Sequence, residues 1–128
     1  MICSSEGTVT HKECTRNLLA VGDALYAIGG KWKLPIIIAL RDGAKRFNEL
    51  QRTIPGISAK VLSNELKEME LNGFVKRHVF TRTPVVVEYE LTEYSETLKD
   101  VLNALREWGL MHREKVRAGV INEHPVEA

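Results

Sequence analysis

Ser58, Ala59, Lys60, Ser63 and Asn64 are small or polar, and they cluster at the start of a stretch in which Val61, Leu62, Leu66 and Met69 recur at helical spacing. A helix of this kind buries one side and leaves the other free. Small polar side chains at its leading end allow close approach to a DNA major groove. Serine and asparagine can bond base edges or phosphate oxygens, and Lys60 can do either. The positive end of the helix dipole adds attraction for phosphate. Taken alone, the pattern also fits an ordinary amphipathic surface helix. The short helix before it and the intervening Ile-Pro-Gly-Ile-Ser turn tip the balance towards duplex DNA.

Further basic residues surround this helix in sequence. Lys67 lies along it, and Lys45 and Arg46 precede it as candidate phosphate contacts that raise affinity without reading sequence. Lys76, Arg77, His78 and Arg82 lie in or beside two β-rich runs that form a hairpin, with Arg77 and Arg82 as candidate contacts to flanking DNA. Arg82, by the tip, is the foremost of these. The alternative is a charge that keeps an edge strand from pairing. Lys31 and Lys33 either add to the phosphate contacts or simply flank the next helix. The net charge of +1 hides a separation: residues 31–82 carry a balance of +6, residues 83–128 one of −4 and residues 1–30 one of −1. Segregation of this kind suits a single polyanion-facing surface, although chance clustering on a solvated face has the same signature.

Cys14 is the one residue with redox potential. Lys12 and Arg16 favour its thiolate, Glu13 opposes it, and Cys3 is available as a resolving partner. The competing expectation is an unremarkable thiol at the start of a helix, the two cysteines being too few for a disulfide framework. His11 and Cys14 have a His-x-x-Cys spacing, but only Cys3 is near enough to add a ligand, so no metal site is expected. No glycine-rich phosphate loop and no nucleophile–base pair is present, so neither enzymatic activity nor a cofactor is expected.

The elements that must position these residues follow from periodicity and breakers. Residues 1–13 read as a flexible polar arm. A first helix runs from about Arg16 to Ile28 and stops at Gly29-Gly30. A second, central helix extends from Lys31 or Trp32 to Leu40 through Ile36, Ile37 and Ile38. Pro35 forces it to start late or bend. A strand stub at 45–47, a helix over 48–53, the helix capped by Ser58 and stopped by Gly73, and a hairpin over 74–91 follow. Thr92 is the expected cap of a last helix reaching Arg117. A helix this long has an apolar face suited to a partner subunit as well as to its own core. Leu18 and Leu25 in the first helix, with Leu98, Leu102, Leu105, Trp108 and His112 in the last, are the expected homodimer interface. Trp32 and Trp108 serve as core or interface anchors rather than base-stacking platforms. The fold class is mainly α with a small β-hairpin wing (α+β), a winged helix-turn-helix with flanking dimerisation helices. The main domain spans residues 14–113, and residues 114–128 are the helix end and a polar tail. No apolar run approaches the roughly 20 residues needed to span a bilayer, so a cytoplasmic protein without membrane association is expected.

The segment IGGKWKLPIIIALRDGAKRFNELQRTIPGISAKVLSNELKEMELNGFVKR, followed by TPVVVEYELTEYSETL and LREWG, closely resembles the HxlR family of bacterial winged helix-turn-helix regulators. The resemblance implies a homodimer, joined through its first and last helices, that binds pseudo-palindromic operators. It also places Ser58, Lys60, Ser63 and Asn64 on the recognition helix and Arg82 by the wing. Some family members sense electrophiles or oxidants through a cysteine in a Cys-Pro pair ahead of the first helix. Here Cys14 is followed by Thr15 and lies further from the glycine pair than is usual. An oxidant- or electrophile-sensing regulator acting through Cys14, or one with a small-molecule effector, stands as one alternative. A winged-helix protein-interaction module without DNA binding stands as another.

Overall fold

Helix α1 spans His11–Ile28, and a reciprocal cap starts it. The Thr10 hydroxyl accepts from the Glu13 N–H at 3.1 Å, and the Glu13 carboxylate accepts from the Thr10 N–H at 3.0 Å. The cap satisfies two donors that the helix would otherwise leave unpaired. The computed structural model describes residues 10–119. Within them, α1 begins at His11 rather than Arg16 and takes in residues expected in the polar arm; the rest of that arm lies outside the described residues. Leu18, Leu19, Leu25 and Tyr26 are exposed along α1, and Ile28 at its end is buried.

Helix α2 covers Lys33–Leu40, with Trp32 as its N-cap. It starts late, as Pro35 requires. The proline falls in the first turn, where a missing N–H costs nothing, and the Ile36 N–H makes a bond to the Trp32 carbonyl at 3.1 Å. Ile36, Ile37 and Leu40 are buried, making α2 the central element, whereas Ile38 is 58% exposed. Three consecutive helical residues point about 100° apart, and here the core covers the directions of Ile36 and Ile37 but not that of Ile38.

Strand β1 (Lys45–Arg46) leads into α3 (Phe47–Thr53), and the turn through Gly56, at φ +82°, leads on to α4 (Ala59–Leu71). Strands β2 (Val75–Phe80) and β3 (Val86–Leu91) form the hairpin. The antiparallel sheet has the order β1-β3-β2, with Val75 opposite Leu91, Phe80 opposite Val86 and Lys45 opposite Tyr89. The stub thus completes a three-stranded sheet by pairing with the second hairpin strand. Ile36, Ile37, Leu50, Leu62, Leu66 and Met69 are the fully buried centre of this part of the chain.

The chain divides into two units, Met1–Thr92 and Glu93–Ala128. In the second, a 3₁₀ turn (Tyr94–Leu98) precedes α5 (Lys99–Arg117). Thr92 does not cap α5. Its hydroxyl donates to the Gly73 carbonyl at 2.5 Å and its N–H to the Phe74 carbonyl at 3.0 Å, so it closes the end of the sheet instead. The expected single helix from Glu93 is therefore two pieces, and the helix proper begins at Lys99. Val101, Leu105, Trp108, Leu110 and Met111 are exposed along α5. Leu98 and Leu102, by contrast, are each only 9% exposed in the single chain.

Candidate nucleic-acid interface

The Ser58 hydroxyl accepts from the Val61 N–H at 3.1 Å, capping α4 at its first turn. One side of α4 is then fixed by Leu62, Leu66 and Met69, all buried. On the opposite side Lys60, Asn64 and Lys67 are exposed and Ser63 is half-buried. The polar row expected from sequence is therefore free of the chain's own core. Val61, expected in the buried stripe, lies at its margin and is half-buried.

A groove of about 340 Å³ runs between α4 and the sheet, lined by Ser63, Leu66, Lys67, Glu70, Arg77 and Tyr89. A water molecule takes about 30 Å³ of liquid volume, so the groove has room for a phosphate and its neighbours. Lys67 from the helix and Arg77 from β2 bring two cations to it, and Glu70 is the one acid among its lining residues. Sequence spacing could not have joined Lys67 to Arg77, because they belong to different elements.

Arg46 is exposed at the N-terminus of α3, where the Glu49 carboxylate accepts from its backbone N–H at 2.8 Å. Lys45 is half-buried beside it. Arg82 lies in the hairpin connection with its guanidinium 5.5 Å from the centre of the Phe80 ring. A cation stacked in this way is held in a preferred orientation while its edge stays open to a ligand. His78 is paired instead, its Nε2 lying 2.7 Å from Glu90 Oε1 across the hairpin.

Lys33 is not a candidate for phosphate contact. Its side chain is buried, and its Nζ sits 3.0 Å from Glu65 Oε1 and 2.6 Å from Glu68 Oε1, both on α4. The bond to Glu68 raises its pKa above the ordinary 10.5, burial opposes that rise, and Glu65 adds to it. The signal available in sequence was the i, i+3 pair of acids beside the buried stripe of α4, which had no basic partner at helical spacing. Lys31, by contrast, is exposed, with its Nζ 5.0 Å from the centre of the Trp32 ring.

Cys14, for which the sequence leaves open a redox-active thiol with Cys3 as resolving partner or an unremarkable thiol at a helix start, is disulfide-bonded. Cys3, the chain's other cysteine, lies outside the described residues. In this state the Cys14 sulfur is neither a nucleophile nor a thiolate ligand. No group of three or more metal-ligating side chains occurs among the described residues.

A capped helix with one buried and one free face, set beside a three-stranded sheet with a basic hairpin, defines the winged helix-turn-helix class. A family model described as HxlR-like helix-turn-helix matches residues 27–117. The HTH-type transcriptional regulator YtcD of Bacillus subtilis, itself uncharacterised, is 42% identical over 98 residues, 77% of this chain and 78% of that one. YodB of the same organism, also an HTH-type transcriptional regulator, is 45% identical over 85 residues, 66% of this chain and 76% of its own. Among solved structures, the redox regulator HypR in its reduced form superposes with a TM-score of 0.72 at 39% identity, covering 77% of this chain and 98% of that one. The chain belongs to the HxlR-like helix-turn-helix family, and it is a transcriptional regulator of the helix-turn-helix type. No helix among the described residues is long and apolar enough to cross a membrane.

Proposed function

We propose that the protein binds operator DNA as a homodimer, each subunit setting α4 in a major groove and the hairpin on the flanking backbone. The observation that carries this reading is the free polar row of α4, whose opposite side is locked into the core. Ser58, Lys60, Ser63 and Asn64 would read base edges or anchor the helix start, while Lys45, Arg46, Lys67, Arg77 and Arg82 would contact phosphates. Exposed apolar side chains on α1 and α5, led by Leu18, Leu25, Leu105 and Trp108, supply the surface for a second copy. His112, half-buried with its ring stacked on Trp108 at 4.9 Å, belongs to that surface. Half-sites would then lie about one helical turn apart.

The test is binding to duplexes enriched by the protein from a random library. Lys60→Ala should weaken binding, and affinity should fall steeply with salt. Enrichment of no sequence, or affinity indifferent to salt and to Lys60, would instead indicate a protein-interaction module.

A second reading concerns regulation and is favoured by the disulfide at Cys14 and by the likeness to the redox regulator HypR. In it, an oxidant is the effector and bond formation at Cys14 alters DNA affinity. Cys14→Ser should then abolish any response to oxidant and leave the affinity of the reduced protein unchanged. An oxidant response that persists in Cys14→Ser would dismiss it.

A further inference from the structure

We infer that Lys33 is the positioning residue of the DNA-reading helix: its ammonium, held between Glu65 and Glu68, sets the rotation of α4 about its own axis and hence the aim of Lys60, Ser63 and Asn64. The inference rests on the DNA-binding reading above and deepens it.

The apolar side of α4 decides which face the helix buries, through Leu62, Leu66 and Met69. Those contacts are non-directional, so they fix the last few degrees of roll less sharply than a directional polar contact does. The consequences at the outer surface are larger. With side chains a helix is about 10–12 Å across, so a roll of roughly 10° moves an outward tip by about 1 Å. Hydrogen bonds to base edges span only about 2.7–3.2 Å, so a shift of that size breaks them.

The ammonium supplies the missing direction. Lys33 opens α2, the central helix, whose Ile36 and Ile37 are 0% and 1% exposed, so its backbone is firmly placed. Glu65 and Glu68 are one turn apart on the flank of α4, between its buried stripe and its free row. Two carboxylates on one cation resist roll in either direction, because each turn of the helix lengthens one of the two contacts. The inner contact is the more constrained. Glu65 Oε1 is wholly buried, and its 3.0 Å approach to the ammonium is an ion pair without the alignment of a hydrogen bond. Glu68 is 60% exposed at its side chain and makes the closer contact, at 2.6 Å. A buried pair of this sort adds little to stability compared with apolar residues of the same size. Its use here is geometric.

The measurement is discrimination, the ratio of affinities for a library-enriched duplex and its scrambled counterpart, set beside the urea midpoint. Replacing the whole cluster in Lys33→Met/Glu65→Leu/Glu68→Gln leaves no unpaired buried charge. Discrimination should fall by roughly tenfold, the effect of one mismatched base pair, with scrambled-DNA affinity and its salt slope close to wild type. Glu68→Gln alone, on the exposed rim, leaves Lys33 its contact with Glu65, so the chain should still fold at a lowered midpoint, and discrimination should fall about threefold. Lys33→Arg, which keeps the cation, should retain most of it. Wild-type discrimination in both the triple variant and Glu68→Gln would overturn the inference, as would an equal loss of affinity for both duplexes. If wild-type protein enriches no sequence, the DNA-binding reading itself fails, an outcome distinct from either of these.

Discussion

The groove between α4 and the sheet makes a quantitative forecast possible. Lys67 and Arg77 line it from different elements, and both are exposed with no acidic partner within ion-pair distance among the described residues. If Lys67 and Arg77 each contact a DNA phosphate along the groove, Lys67→Gln/Arg77→Gln removes two phosphate contacts per subunit. Each phosphate contact contributes about 0.9 to the slope of log affinity against log salt, so the slope should flatten by about 1.8 per subunit. A two-fold pair of subunits on one operator doubles that to about 3.6. Near physiological salt this amounts to a loss of roughly a thousandfold in affinity, or about 4 kcal/mol. Fluorescence anisotropy on a labelled duplex, over about 50 to 300 mM KCl, reads the slope directly. Enriched and scrambled duplexes should lose affinity together, because phosphate carries no sequence information. Glu70→Gln supplies the opposite sign, since removing the one acid from the lining should raise affinity about twofold. A slope change below about 1 in the double variant, or a loss confined to the enriched duplex, would refute phosphate occupancy of the groove.

Three other expectations concern the scaffold. Leu66, 2% exposed beneath the reading helix, should cost about 2–5 kcal/mol when cut to alanine, seen as a lower urea midpoint at an unchanged slope. Because Lys33 has a raised pKa, its ion pair contributes to stability below the unfolded value of 10.5, and that contribution is lost as pH climbs through the higher folded value. The stability difference between wild type and Lys33→Met should therefore hold steady from neutrality to about pH 10 and shrink only above that. Leu105→Glu with Trp108→Ser puts a charge and a small polar group on the exposed side of α5, and sedimentation should show the protein as a monomer. A dimer of wild-type affinity would move the interface elsewhere.

Much of this architecture is written in short stretches of chain. Thr10 and Glu13, Ser58 and Val61, Pro35 and the Gly73 stop act within a few residues of themselves, so their effects are readable without knowing the fold. The period of Leu62, Leu66 and Met69 likewise assigns the inner face of α4, which leaves Lys60 and Asn64 outside. What adjacency could not reveal are partnerships between distant segments. Lys33 reads as one more basic residue until the core brings α2 against α4 and surrounds it with two carboxylates. Lys67 and Arg77 share a groove only because β2 comes to lie beside the helix. Thr92 carries every local mark of a cap, yet the sheet end offers it the Gly73 carbonyl. Leu98 and Leu102 continue the same apolar row as Leu105, but which members of a row are buried depends on neighbours that periodicity does not name. Short-range hydrogen bonds and helical geometry are encoded locally. Burial and charge pairing depend on the path of the whole chain.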